Sequence, residues 1–166
     1  MQTIKNIYMP LQVGSKAPEF SLYSSSKEKI SLTDFTDVQN VLILFFPLAF
    51  TGVCTKELCL IRDDFRVYQN ADAQVLGISV DSIFTLAKYK EENQLNYPLL
   101  SDFNKEASTA YESIYESFTD MGMKGVCKRA AFVIDKQGVI QYAEVLESAG
   151  DLPNFEAINE VIGRLK

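Results

Sequence analysis

The run Val41-Leu42-Ile43-Leu44-Phe45-Phe46 is apolar without a break, rich in Val, Ile and Phe, and too short for a helix of its own. Such a run reads as a fully buried strand. Pro47 ends it, and a turn through Thr51-Gly52 leads into a new periodic segment that begins at Cys54. A thiol where a buried strand gives way to a helix N-terminus is a chemical position. Unpaired N–H groups and the positive end of the helix dipole favour negative charge on sulfur there.

The rest of the chain arranges itself around that junction. Residues 1–16 carry little periodicity. Pro18 to Tyr23 alternates as a short strand does, and the polar Ser24 to Lys29 turn folds it back on Ile30-Ser31-Leu32 as a hairpin. Thr33-Asp34-Phe35 reads as a brief helical turn. From Val53 to Gln69, the apolar positions Leu58, Ile61, Phe65 and Tyr68 recur at three and four residues, which predicts one amphipathic helix. Gln74 to Val80 reads as a second strong strand, Asp81-Ser82 as the cap of a helix through Asn93, and Tyr97 to Leu100 as a third strand. A helix over 104–111 and a Met-, Gly- and Ser-rich loop over 112–128 follow. Arg129 to Asp135, the turn Lys136-Gln137-Gly138 and Val139 to Leu146 form a hairpin. Leu152 to Lys166 closes the chain as a helix with Phe155, Ile158, Val161, Ile162 and Leu165 on one side. This order predicts an α/β domain spanning 1–166, with a mixed central sheet flanked by helices and an N-terminal β-hairpin extension.

Composition enters through what it excludes. The net charge of −6 argues against an electrostatic grip on nucleic acid or anionic membrane, leaving Lys124, Lys128 and Arg129 as one candidate basic cluster. The stretch Met1 to Gly14 holds no apolar run long enough for a signal peptide, and nothing downstream approaches membrane-spanning length. A reducing, cytoplasmic setting is the expectation. Three cysteines do not make a disulfide framework, and three thiols alone make a poor zinc site. The chain has no His, so Ser-His, Cys-His and His-metal chemistry are all excluded. An activated Cys54 must rely on backbone, Arg or hydroxyl groups.

The spacing Pro47-x-x-x-Thr51-x-x-Cys54, with Glu57 after it and Arg129 heading a later strand, resembles the active-site motif of the peroxiredoxins of the AhpC/TSA family. The resemblance runs from about Val13 to the C-terminal helix, and the string Phe45 to Cys54 looks most like the AhpE class. It implies a thioredoxin-like fold and a cofactor-free thiol peroxidase. Cys54 would be the peroxidatic nucleophile, oxidised to a sulfenic acid by hydrogen peroxide or organic hydroperoxides. By the same resemblance, Thr51 would offer its hydroxyl to thiolate and substrate, Pro47 would shield the site, Arg129 would face sulfur and peroxide, and Glu57 would orient Arg. Fixed donors aimed at the attacked and departing oxygens would act as an oxyanion hole does, and a guanidinium suits that task. The family's second Arg has Arg62 and Arg66 as candidate counterparts. The implied reductant is thioredoxin, a glutaredoxin-like protein or a low-molecular-weight thiol, and Phe50 and Phe84 are candidate contacts of a homodimer.

Each residue also has a plainer reading. Pro47 stops a strand, Thr51 caps a helix, Glu57 favours the dipole of a first helical turn, and Arg129 is an edge-strand charge. Cys59 lies five residues beyond Cys54, which in an intact helix separates the Cα atoms by roughly 8–9 Å, more than the ~7 Å that a disulfide spans. The PrxQ, or bacterioferritin-comigratory, class places a resolving Cys at this spacing and unwinds that helix. Cys59 is therefore either a resolving thiol or a small core residue beside Leu58 and Leu60. Cys127 is a second resolving candidate, or a structural thiol. A redox sensor or holdase chaperone switched by Cys54 oxidation is the alternative function. A disulfide reductase is disfavoured because no Cys-x-x-Cys pair is present.

Overall fold

The computed structural model describes residues 11–165; the N-terminal half of the lead-in and Lys166 lie outside them. Strand β3 (Asn40–Phe45) is buried along its whole length, and alternate side chains serve two cores. Leu42 and Leu44 pack with Leu58, Ile61, Tyr89, Ile158 and Ile162 on one side. Val41, Ile43 and Phe45 pack with Tyr111, Cys127 and Phe132 on the other. Period-two alternation along a strand apolar at every position produces this double burial.

Among the described residues, seven strands line up in the order β2 (Lys29–Ser31), β1 (Ser21–Ser24), β5 (Leu99–Ser101), β4 (Ala73–Ser79), β3, β6 (Ala130–Ile134) and β7 (Ile140–Val145). Strands β4 (Ala73–Ser79) and β5 (Leu99–Ser101) run parallel to β3, reached through crossovers that carry α1 (Gly52–Asp63), α2 (Phe65–Asn70) and α3 (Ile83–Glu92). Strands β6 (Ala130–Ile134) and β7 (Ile140–Val145) add antiparallel on the far side. The hairpin of β1 (Ser21–Ser24) and β2 (Lys29–Ser31) extends the sheet beyond β5. A 3-10 turn follows it at Leu32–Phe35, α4 spans Glu106–Ala110, and α5 (Phe155–Arg164) lays Ile158 and Ile162 on the β3 core. The mixed sheet, the hairpin extension and the flanking helices are those the pattern predicts.

Two local expectations change. The single helix over 53–69 is two, because the backbone breaks at Asp64 (φ −96°, ψ 14°). Asp63 and Asp64 oppose the dipole at that C-terminus, and the bend lets the Phe65 ring stack on Tyr97 at 6.3 Å. The 112–128 loop is a folded excursion pinned by the bridges Ile114–Cys127 and Phe118–Met123.

Gly77, in the middle of β4, is required by close approach. A Cβ there would lie 2.6 Å from Leu99 Cδ2 and 3.5 Å from Phe46 Cε1, and Leu99 is itself fully buried. Gly77→Ala is therefore expected to destabilise the fold by about 1–3 kcal/mol through overpacking, read as a lowered urea midpoint with an unchanged slope.

Candidate active site

The turn 46–51 delivers Cys54 from the end of β3. Phe50 holds a left-handed backbone (φ 62°), unusual for a bulky residue and costly by about 1–2 kcal/mol. Its ring leans edge-on against Tyr89, centroids 5.1 Å apart. Thr51 (φ −111°, ψ 152°) is the N-cap of α1, and Gly52 is its first residue. Cys54 is thus the third residue of the helix, among the unpaired N–H groups of its first turn, and is only 1% exposed.

Among the described residues, one cationic group reaches the sulfur. Arg129 Nη2 donates to Cys54 Sγ at 3.4 Å and to Ala149 O at 2.9 Å. Its Nη1 donates to Glu57 Oε2 in an ion pair with both side chains buried. Glu57 Oε1 and Arg129 Nε have no hydrogen-bond partner among the described residues. Burial pushes the Glu57 carboxyl up to about 7, against the opposing charge of Arg129. A cavity of about 280 Å³ opens above the sulfur, lined by Pro47, Thr51, Val53, Phe118, Arg129 and Gly150 among others.

Pro47, Thr51, Cys54, Glu57 and Arg129 thus come together, although 72 residues separate Glu57 from Arg129. Arg129 precedes β6 and is 1% exposed, so it is not an edge-strand charge. Glu57 lies in the second turn of α1, not the first, and faces Arg129 rather than serving the dipole. The Thr51 hydroxyl does not cap the helix; it donates to Leu48 O at 2.7 Å. What Thr51 offers the cavity is therefore its oxygen lone pairs.

Other candidates fall away from the sulfur. Arg62 donates to Asn93 O at 2.6 Å and pairs with Asp63 near the other end of α1, while Arg66 is exposed on α2. The basic cluster does not form, since Arg129 turns inward and Lys128 pairs with Glu147 at 2.7 Å. Cys127 is buried in the opposite core, its thiol donating to Phe46 O at 2.8 Å, and burial holds that thiol well above its ordinary range. Cys59 is half-buried, with its sulfur 4.0 Å from Asn93 Oδ1. Leu60 is already 40% exposed, so unwinding α1 would newly uncover Leu58 alone of the pair. Phe84 and Phe50 are exposed, at 70% and 53%. Phe118 and the Ala149-Gly150 turn are wall residues that carry no motif; only their placement by the folded loops marks them.

A thioredoxin-like α/β domain with a buried helix-N-terminal cysteine set against an arginine defines a thiol-based redox enzyme. A family model described as the AhpC/TSA family matches residues 13–143. The chain belongs to that family, the peroxiredoxins, which are thiol-dependent peroxidases. It is 36% identical over 135 residues to alkyl hydroperoxide reductase E of Mycobacterium tuberculosis, covering 81% of this chain and 86% of that one. It is also 36% identical over 147 residues to a chloroplastic 2-cysteine peroxiredoxin of Chattonella marina var. antiqua, covering 82% and 72%. The crystal structure of peroxidoxin BcpB from Mycobacterium tuberculosis matches at a TM-score of 0.82 and 25% identity, covering 94% of this chain and 99% of that one.

Proposed function

We propose that the protein reduces hydrogen peroxide and organic hydroperoxides through Cys54. The observation that carries this is the Arg129 guanidinium 3.4 Å from a buried sulfur at the mouth of a cavity. The Cys54 thiolate attacks one peroxide oxygen, an S–O bond forms as the O–O bond breaks, and Cys54 becomes a sulfenic acid. The departing oxygen takes a proton and leaves as water or an alcohol. Charge builds on both oxygens, and Arg129 is fixed where it can stabilise that charge without reorganising. Pro47 and Phe118 give the cavity apolar lining, which suits the alkyl end of an organic hydroperoxide.

Cys59 is the proposed resolving thiol, because Cys127 is held in the opposite core. Its sulfur attacks the Cys54 sulfenic acid, the S–S bond forms, and water leaves. A thioredoxin, a glutaredoxin-like protein or a small thiol then supplies the two electrons that reopen the disulfide. The helix must first release strong anchors. Tyr97 donates to Leu58 O at 2.7 Å, the Thr55 and Tyr89 hydroxyls meet at 3.0 Å, and Glu57 holds Arg129.

Mass spectrometry after one equivalent of peroxide tests both steps. The expected product carries a Cys54–Cys59 disulfide, and Cys59→Ser leaves Cys54 as a sulfenic acid trapped by dimedone. A sulfenic acid that persists in wild type moves resolution to an external thiol. Failure of Cys54 to oxidise faster than a free cysteine sinks the peroxidase reading.

A further inference from the structure

Asp81-Ser82 reads as a helix cap, but the two residues divide the work differently. Ser82 caps α3, its hydroxyl accepting from Thr85 N–H at 3.1 Å. The Asp81 carboxylate is left free and reaches back 32 residues, where Oδ2 accepts from Ala49 N–H at 2.8 Å. Ser79, fully buried, donates its hydroxyl to the same oxygen at 2.6 Å, and Ser101 donates to Asp81 O at 2.6 Å. Asp81 is therefore fixed by the ends of β4 and β5 before it touches the active-site turn.

The peptide it holds is the one that matters to Thr51. Ala49 N–H and Leu48 C=O belong to one planar unit, and in a trans peptide they point in opposite directions. Asp81 grips that plane by its N–H, and Thr51 grips it by its C=O, at 2.7 Å. Because the Thr51 hydroxyl hydrogen is committed to Leu48 O, the direction of that carbonyl sets where the oxygen lone pairs of Thr51 face. Phe50, between the two, sits in the left-handed region, so the turn has little intrinsic preference for this shape and depends on being held.

We propose that Asp81 is a positioning residue for peroxide reduction: through the Leu48–Ala49 peptide it aims the Thr51 oxygen as an acceptor for the hydrogen of the incoming hydroperoxide. An O–H held by Thr51 places the hydrogen-bearing oxygen, the one the sulfur attacks, and leaves the remaining lone pairs of the peroxide to Arg129, while the other oxygen departs and takes up a proton. This rests on the peroxidase reading above. Asp81 touches neither substrate nor sulfur; it acts through Thr51. A single acceptor oxygen serves both Ala49 and Ser79, so an amide can replace the carboxylate in this task, whereas a methyl cannot.

The test compares two reactions of Cys54 in the full chain at one pH, both followed by acid quench and mass spectrometry. Oxidation by hydrogen peroxide needs the aimed Thr51 oxygen; alkylation by iodoacetamide needs only the sulfur nucleophile. Asp81→Ala is expected to slow oxidation by about 10–100-fold and alkylation by less than about threefold, the scale at which misorientation acts. Asp81→Asn restores oxidation to within about threefold of wild type, since its geometry is kept. In a Thr51→Val background, Asp81→Ala adds less than about twofold, because residues acting through one contact are not additive. Equal slowing of oxidation and alkylation overturns the proposal, as does an Asp81→Ala effect of undiminished size in Thr51→Val. A wild-type protein that oxidises no faster than free cysteine defeats the peroxidase reading itself, whereas fast oxidation in both wild type and Asp81→Ala defeats only the role of Asp81.

Discussion

Cys54→Ser is expected to lose peroxide turnover by at least about 10³-fold while keeping its fold. A neutral serine hydroxyl is far less nucleophilic than a thiolate near pH 7, and the chain has no His to activate it as a Ser-His pair would. Serine is close to cysteine in size, and its hydroxyl can accept from Arg129 where Cys54 Sγ now does, so the cost to stability is about 1 kcal/mol. Peroxide consumption with a thiol reductant in excess gives the rate, and a urea midpoint gives the stability. Cys127→Ser is the matched control. Its hydroxyl can keep the bond to Phe46 O, and turnover should stay near wild type. A Cys54→Ser protein that consumed peroxide at the wild-type rate would remove the site from consideration.

The second large effect concerns the buried pair of Glu57 and Arg129. Arg129→Met removes the cation that donates to the sulfur and is expected to lower the oxidation rate by about 10²–10³-fold. It also strands Glu57, fully buried, without its partner, at a cost of about 3–5 kcal/mol. The pair has a pH signature as well. Burial raises the Glu57 carboxyl from 4.5 to about 7. Between those values the folded chain holds a proton there that the unfolded chain has already lost. Stability therefore falls as pH rises from about 4.5 to 7 and levels off above, a contribution of order 3 kcal/mol. Glu57→Gln abolishes that contribution, so the difference in urea stability between wild type and Glu57→Gln should change steeply over this window. Arg129→Met should carry the slope to higher pH, because the charge that now lowers the Glu57 carboxyl is gone. A wild-type minus Glu57→Gln difference that is flat from pH 4.5 to 7.5 would contradict this account.

Much of the architecture is legible from periodicity. β3, β4 and β6 read as strands because each is a short apolar run, the β3 run being apolar throughout and so read as buried, and α5 reads as a helix because one stripe is apolar. The break at Asp64 does not read, since the apolar spacing continues across it and the bend answers to tertiary packing of Phe65 on Tyr97. Within the site, Cys54 stands out by its place at a strand-to-helix turn, whereas Arg129 and Glu57 are marked only by resemblance, their meeting being a product of the sheet order. Arg62 is drawn away because Asn93 O and Asp63 offer it nearer partners. Asp81 looks like one of two interchangeable cap residues, and only the fold reveals that Ser82 does the capping. Phe118 and Gly150 could not be found from spacing, because loops carry no period to betray which way a residue faces.

The near-complete burial of Cys54 separates the two halves of its chemistry in time. A peroxide is slender enough to reach the sulfur through the cavity above it while α1 stays intact. The cysteine of a folded reductant would have to come within about 2.05 Å of the sulfur, bringing its own backbone along. On the proposed function, oxidation would belong to the form with α1 intact and reduction to one in which it has opened. Loosening α1 should quicken the second half-reaction and slow the first. On that proposal, the tightness of the anchors at Leu58, Thr55 and Glu57 would set how long each oxidised molecule waits between them.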